Sequence, residues 1–185
     1  EAEMQSEFAT QFAKAEGTSF ISGDSIGKPE GVLTNSNVGT TNSGSGTALT
    51  GDGLLDLVHD IKTEYGQGAI FMFNRSTLAA IRKLKDGQGQ YVFQVGMMLT
   101  AGVPNTVLGY PYVEAPDMPD VAASAKPVIF GNFQQGYLIV DRVNLSVLRD
   151  PFTQATTGNI RYIARRRVGG QVVLPEAIRT QTISA

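Results

Sequence analysis

The spacing of apolar residues changes several times along the chain, and each change predicts a different element. Near the start, Met4, Phe8 and Phe12 recur at every fourth position, flanked by Ala9 and Ala13. Residues four apart share one helix face, so the spacing predicts a helix over Glu1–Glu16. Glu1, Glu3 and Glu7 sit near the positive end of its dipole, and Gly17 is placed to end it. No capping residue precedes the helix, which reads as a chain beginning part-way through a larger protein. From Gly17 the pattern dissolves into turns, and Thr34–Gly53 is mostly Asn, Ser, Thr and Gly, a surface excursion or a flexible linker.

Periodicity returns after Gly53. Leu54, Leu55, Val58, Ile61 and Tyr65 form a helical stripe capped by Thr50 or Asp52. Ala69–Phe73 is wholly apolar and reads as a strand buried on both faces. Asn74 can cap a further helix carrying Leu78, Ile81 and Leu84 on one side, stopped by Asp86-Gly87-Gln88-Gly89. Tyr91–Phe93, Val107–Leu108, Tyr112–Glu114, Val128–Phe130 and Tyr137–Val140 read as strands, with Gly109-Tyr110-Pro111 and Gln134-Gln135-Gly136 as turns. Leu145–Leu148 and Asn159–Val168 then read as a long two-stranded ribbon around Asp150-Pro151-Phe152. A terminal edge strand follows over Arg179–Ile183. A ribbon and a lone helix bury little by themselves, so their free faces want a partner.

Composition narrows the classes. The 185 residues allow one domain, or two small lobes sharing a core. With no cysteine, the chain has neither disulfides nor thiolate sites. No apolar run approaches the ~20 residues of a membrane span, and no secretory signal opens the sequence. A formal charge of -2 argues against a dedicated nucleic-acid binder. Charged residues make up only 17%, against about 25% in an average domain, and glycine reaches 21. A soluble monomer normally coats itself with charge. A surface of Ser, Thr, Asn, Gln and Gly fits a chain that buries area against copies of itself.

Motifs for chemistry are sparse. Gly23-Asp24-Ser25 resembles the opening of a serine esterase family, and Asp56 and His59 supply an acid and a base. However, Ser25 is followed by the loop Ile26-Gly27-Lys28-Pro29, without a strand-to-helix elbow. Asp56 lies one helical turn before His59, mid-chain, where the two can simply pair in solvent. His59 is the only histidine. Glu114, Asp117 and Asp120 form the nearest acidic group, but Asp117-Met118-Pro119-Asp120 reads as a solvated turn and not a metal site. Gly27-Lys28 lacks the glycine spacing and following Ser/Thr of a phosphate loop. Hence no catalytic, cofactor or metal residue is expected. Of the basic run, Arg161, Arg165 and Arg167 share one strand face with Ile163, whereas Arg166 sides with Tyr162. Arginines split over two faces suit carboxylates of neighbouring chains better than a nucleic-acid groove. Arg161, Arg165, Arg166 and Arg167, together with Asp150, are the expected inter-subunit contacts.

A string of blocks carries a resemblance: Phe20-Ile21-Ser22-Gly23-Asp24-Ser25-Ile26-Gly27-Lys28-Pro29-Glu30-Gly31-Val32-Leu33, Asn74-Arg75-Ser76-Thr77-Leu78, Leu84–Tyr91, Leu108–Val113, Phe130-Gly131-Asn132-Phe133, Asp141-Arg142, Leu148-Arg149-Asp150-Pro151, Ala164–Gly170 and Pro175-Glu176-Ala177-Ile178. In this order they resemble the major capsid proteins of tailed double-stranded DNA bacteriophages, the Hong Kong ninety-seven type. The resemblance implies an α+β capsid fold. Residues 51–144 and 174–185 would form an axial α/β domain. Residues 1–50, with the spine helix, and 145–173, with the β-ribbon, would form a peripheral domain. It implies a non-enzymatic shell subunit that self-assembles into pentamers and hexamers and encloses double-stranded DNA without specific binding. Such a subunit is made in the bacterial host cytoplasm and located in the virion capsid. Its partners would be itself and portal, scaffold or decoration proteins, with no membrane. Alternatives are an encapsulin-like bacterial nanocompartment shell protein or, from another class, a serine esterase using Ser25 and His59.

Against the family pattern, the N-terminal arm and extended loop ahead of the spine helix are expected to be absent from this chain. Some members weld subunits by a Lys–Asn isopeptide bond promoted by a buried glutamate. The lysine belongs to the absent loop, Asn159 stands near the asparagine position, and Arg165 stands at the glutamate position. A cation there cannot take up the proton, so no self-crosslinking is expected.

Overall fold

A computed structural model describes residues 2–91, 106–158 and 160–184. They form two compact units. One comprises 1–34 and 138–171, the other 35–137 and 172–185.

The second unit is built on a six-stranded mixed sheet. Its strands are β1 (Gly39–Asn42), β2 (Ile70–Phe73), β3 (Thr106–Val107), β4 (Tyr110–Glu114), β5 (Val128–Gly131) and β8 (Ile178–Thr182). The spatial order is β1-β8-β5-β2-β4-β3. β1 runs parallel to β8, and β2 parallel to β4, whereas β5 lies antiparallel between β2 and β8. The register sets Phe71 opposite Phe130 on one side and opposite Tyr112 on the other. Phe71 and Phe130 meet with ring centroids 4.5 Å apart, and Tyr110 meets Phe130 edge-on at 5.0 Å. Helices α2 (Gly51–His59) and α4 (Arg75–Arg82) add Leu54, Leu57, Leu78 and Ile81 to the same core. α3 (Thr63–Gly66) and α5 (Phe133–Gly136) are single turns.

Caps fix where these helices begin. Of the two candidates, Thr50 caps α2, accepting from Gly53 N at 3.0 Å while its hydroxyl donates to the Ser43 carbonyl. Asn74 caps α4 as expected, accepting from Thr77 N at 2.7 Å. Its amide donates to the Met118 carbonyl at 3.0 Å and to Asp120 at 2.7 Å. A single buried asparagine thus joins the start of a helix to the turn after β4.

The first unit holds helix α1 (Ala2–Ser22) and a two-stranded ribbon of β6 (Tyr137–Asp150) and β7 (Arg161–Val172). Gly17 does not end α1 as the sequence suggested; the helix continues for five residues and ends before Gly23. Ser19 and Ser22 donate to carbonyls four residues back and hold this last turn. Gly23 is required by close approach, since a Cβ there would lie 2.0 Å from the Pro29 carbonyl oxygen. The chain then folds back, with Gly31 N, Val32 N and Leu33 N donating to the carbonyls of Gly23, Phe20 and Ile21.

Other sequence expectations need correction. Residues 35–50 belong with the sheet, not with the spine helix and not as a linker. β1 pairs with β8 there, and Val38, Ser43 and Leu49 are buried. For the same reason the terminal strand is interior to the sheet, not an edge: the polar β1 covers its outer side. Tyr137–Val140 and Leu145–Leu148 are one continuous strand, which moves the ribbon's start from 145 to about 138. The polar residues Asp141 and Arg142 do not break it, because the described side chains of that strand are open on both faces. β2 is buried on one face and half-buried on the other. The turn before β4 is Leu108-Gly109, and Tyr110-Pro111 already lie in the strand. Gln134–Gly136 is a helical turn, capped by Asn132. Of the strand expected at Tyr91–Phe93, only Tyr91 lies within the described residues.

Candidate inter-subunit surface

The ribbon carries a run of uncovered apolar side chains. Successive strand residues point to opposite faces. On β6, Leu138 and Val140 on one face and Ile139 on the other are each about half exposed. Farther along, Leu145, Val147 and Leu148 are exposed as well, Leu148 to 60%. An isolated two-stranded ribbon is marginal in water. A strand open on both faces is built from the residues that strands favour, yet buries few of them within its own chain.

β7 carries the arginines. Its residues from Arg165 onward alternate between exposed and half-buried, as the strand period requires. Arg161, Arg165 and Arg167 are exposed, whereas Arg166 is half-buried on the other face. Arg166 is engaged within the unit: its guanidinium lies 3.1 Å from Glu16 of α1 and 3.2 Å from both carboxylate oxygens of Asp141 on β6. The sequence grouped all four arginines as inter-subunit contacts; the structure separates one of them by giving it two carboxylates at home.

Asp150 is engaged too. Thr153 donates its hydroxyl to this carboxylate, and the backbone N–H groups of Phe152 and Thr153 donate at 3.0 and 3.1 Å. These bonds favour the ionised form, so its pKa lies below the ordinary 3.8, the Thr153 hydroxyl being the largest cause and the charge of Arg161 the smallest. The turn they fix holds Phe152 out at 85% exposure. The sequence had offered Asp150 only as an ion-pair partner; the Asx-turn pattern Asp-Pro-Phe-Thr was the available signal for this local role. Asn159 lies outside the described residues. Arg165 is exposed on β7.

The esterase elements are divided. Ser25 is exposed in the loop of the first unit at φ 65°, and Asp56 and His59 are exposed on α2 of the second. Asp120, one of the carboxylates weighed for metal, accepts from Asn74 and from the Ser76 hydroxyl. Those bonds hold its pKa below the ordinary value, with Ser76 the larger cause. Among the described residues no group of three or more His, Cys, Asp or Glu is placed to hold a metal ion. No described helix is long and apolar enough to cross a membrane.

A helix beside a long ribbon, and a mixed sheet that takes its last strand from the chain's end, define the α+β capsid fold expected above. The model of the phage capsid family matches residues 1–183, and the chain belongs to that family. The structure is similar to a solved "Capsid of empty GTA particle computed with C5 symmetry", with 36% identity and a TM-score of 0.89. That match covers 100% of this chain and 66% of the other, so the chain spans just under two thirds of that capsid chain's length. A chain of Gordonia phage Cozz shares the fold at 14% identity and TM-score 0.69, covering 97% of this chain and 62% of the other. So does the holo encapsulin complex of Synechococcus elongatus PCC 7942, at 17% identity and TM-score 0.69, covering 97% and 63%. No curated protein sequence matches the chain.

Proposed function

We propose that this chain is the shell-forming part of a major capsid protein of a tailed phage, prophage or phage-like particle. It catalyses no reaction on an outside substrate. It assembles with copies of itself into pentamers and hexamers that enclose double-stranded DNA without specific binding. It is made in the bacterial cytoplasm and ends in the particle's shell, where portal, scaffold or decoration proteins join it. The observation that carries this reading is the whole-chain similarity, at 36% identity, to the capsid of a GTA particle. The sheet unit, residues 35–137 and 172–185, takes the axial role around the symmetry axes. The helix-and-ribbon unit, 1–34 and 138–171, takes the peripheral one. Arg161, Arg165 and Arg167 are the forks it offers to neighbouring carboxylates, while Arg166 and Asp150 serve their own unit.

The low charge fraction supports the same reading, because the cores of subunit interfaces are depleted of charge. The encapsulin likeness is at 17% identity and supports the fold only. The test is to purify the assembled protein and measure its mass, its outline by negative stain and its content. Closed particles containing nuclease-protected double-stranded DNA are expected. Particles filled with a cargo enzyme would replace this reading with the nanocompartment one. A strict monomer that hydrolyses a chromogenic ester, and loses that activity on Ser25→Ala, would end both.

A further inference from the structure

We propose that a basic groove in the helix-and-ribbon unit receives the N-terminal turns of α1 from a second copy of this chain. This rests on the shell reading and names the surfaces through which copies meet.

The groove encloses about 590 Å³ between the loop after α1 and the ribbon. Pro29, Val140 and Val168 give it an apolar lining, and Lys28, Arg142 and Arg167 give it positive charge. Lys28 is held 3.3 Å from Asp24. Arg142 and Arg167 are exposed and make no ion pair among the described residues. Two cations beside an apolar lining fit an acidic amphipathic segment. In a chain with a net charge of only -2, such a segment stands at the start of α1. Glu3 and Glu7 form one row of exposed carboxylates, and Met4 and Phe8 form the adjacent apolar row, each pair one turn apart. The acidic end also coincides with the positive helix terminus, so its carboxylates carry the recognition.

The same chemistry already operates within one copy, where Glu16 of α1 meets Arg166 of β7 at 3.1 Å. The helix's own acidic end cannot make the second contact. The groove's loop wall is fixed to the C-terminal end of α1 by the bonds from Gly31, Val32 and Leu33. Even from Glu16, which meets the groove's own Arg166, the continuous helix carries Glu7 about 14 Å and Glu3 about 20 Å away at 1.5 Å per residue. The occupant must therefore come from another molecule. Each copy then donates one helix end and receives one, a head-to-tail contact of the kind that closes rings.

The absence of cysteine makes the test direct. Met4→Cys chains are mixed with Val140→Cys chains under mild oxidation. A mixed disulfide dimer dominating over either homodimer is expected; its absence overturns the pairing. In parallel, Glu3→Arg with Glu7→Arg, and separately Arg142→Glu with Arg167→Glu, should each raise the midpoint concentration for association at least tenfold. Combining all four should bring it back within threefold of the parent. Association unchanged in the two-site variants, or unrestored in the four-site variant, also overturns it. Circular dichroism verifies the fold of each variant, and the disulfide test does not depend on the charge variants folding. Particles without the Met4–Val140 disulfide would sink this pairing and leave the shell reading standing. A wild-type chain that never assembles would sink the shell reading, and the disulfide result would still decide the pairing.

Discussion

The two units use similar strand residues to opposite ends. In the sheet unit Phe71, Phe73, Val128, Ile129, Phe130 and Ile178 are at most 1% exposed. In the ribbon Leu138, Ile139, Val140 and Leu148 are at least half exposed. The difference lies in what covers them. The sheet unit has six strands and the helices α2 and α4 sharing one core, while the ribbon has only two strands. Apolar burial contributes about 25 cal/mol per Å², wherever the covering surface comes from. The sheet unit collects that stabilisation from its own chain. The ribbon leaves much of its apolar surface uncovered by its own chain, so side-chain type alone does not say how much a strand contributes to folding.

The sharpest way to break this contrast is to truncate on each side of it. Phe71→Ala removes a fully buried ring that touches Phe73, Tyr110 and Phe130, and should cost about 3–5 kcal/mol by thermal or denaturant unfolding. A loss below about 1 kcal/mol would mean that the aromatic cluster is not the sheet's core. Asn74→Ala should cost about 1–2 kcal/mol, because it removes a helix cap together with the bond to the Met118 carbonyl.

Phe8 and Phe12 fall between the extremes. Truncating a fully buried phenylalanine costs about 3–5 kcal/mol. In the structure both are half-buried, so each alanine substitution should cost about 1 kcal/mol in the unassembled chain. Leu148→Ala completes the series at the exposed end. It should stay within about 0.5 kcal/mol of the parent in the unassembled chain, yet weaken association measured by sedimentation. A ribbon leucine costing as much as Phe71 would erase the distinction between the units.

This contrast also explains which parts of the fold were legible in the sequence. The β2, α4 and β5 segments were readable because burial and local preference agree there: Asn74 stands where a cap belongs, and Leu78 and Ile81 fall on the core face. The helical stripe expected from Leu54 to Tyr65 is instead two elements, since α2 ends at His59 and Tyr65 lies in the single turn α3. The errors fall where tertiary pairing overrides local character. Gly39-Thr40-Thr41-Asn42 has the composition of a loop, and becomes a strand only because β8 offers it a parallel edge. The β6 sequence reads as two strands because strand patterns are recognised by one buried face, and the described residues of this strand form none. Among the candidate contacts, the alternation of Arg165, Arg166 and Arg167 was readable from the strand period. The pairing of Arg166 with Glu16 joins residues 150 positions apart, which no local pattern reveals.

The smallest predicted effect compares the two units through one carboxylate in each. Asp120 in the sheet unit and Asp150 in the ribbon unit are both held below the ordinary 3.8, by the Ser76 hydroxyl and the Thr153 hydroxyl first. A depressed carboxylate stabilises its surroundings above the unfolded value, and the contribution is lost as pH falls through the folded one. Both turns should therefore stay intact from neutral pH to about pH 5 and loosen only below 3.8. The donors to Asp120, Asn74 and Ser76, stand at the start of α4 more than forty positions away, whereas the donors to Asp150 are its near neighbours Phe152 and Thr153. Thermal loosening of the sheet unit should thus raise the Asp120 midpoint while that of Asp150 stays low, because a local turn survives without a core. Carboxyl NMR titration of the parent and of Phe71→Ala, which loosens the sheet's core without removing a donor to either carboxylate, measures this directly. Equal movement of both midpoints would show that the ribbon's loop depends on the sheet's integrity, and that the two units do not hold their turns independently.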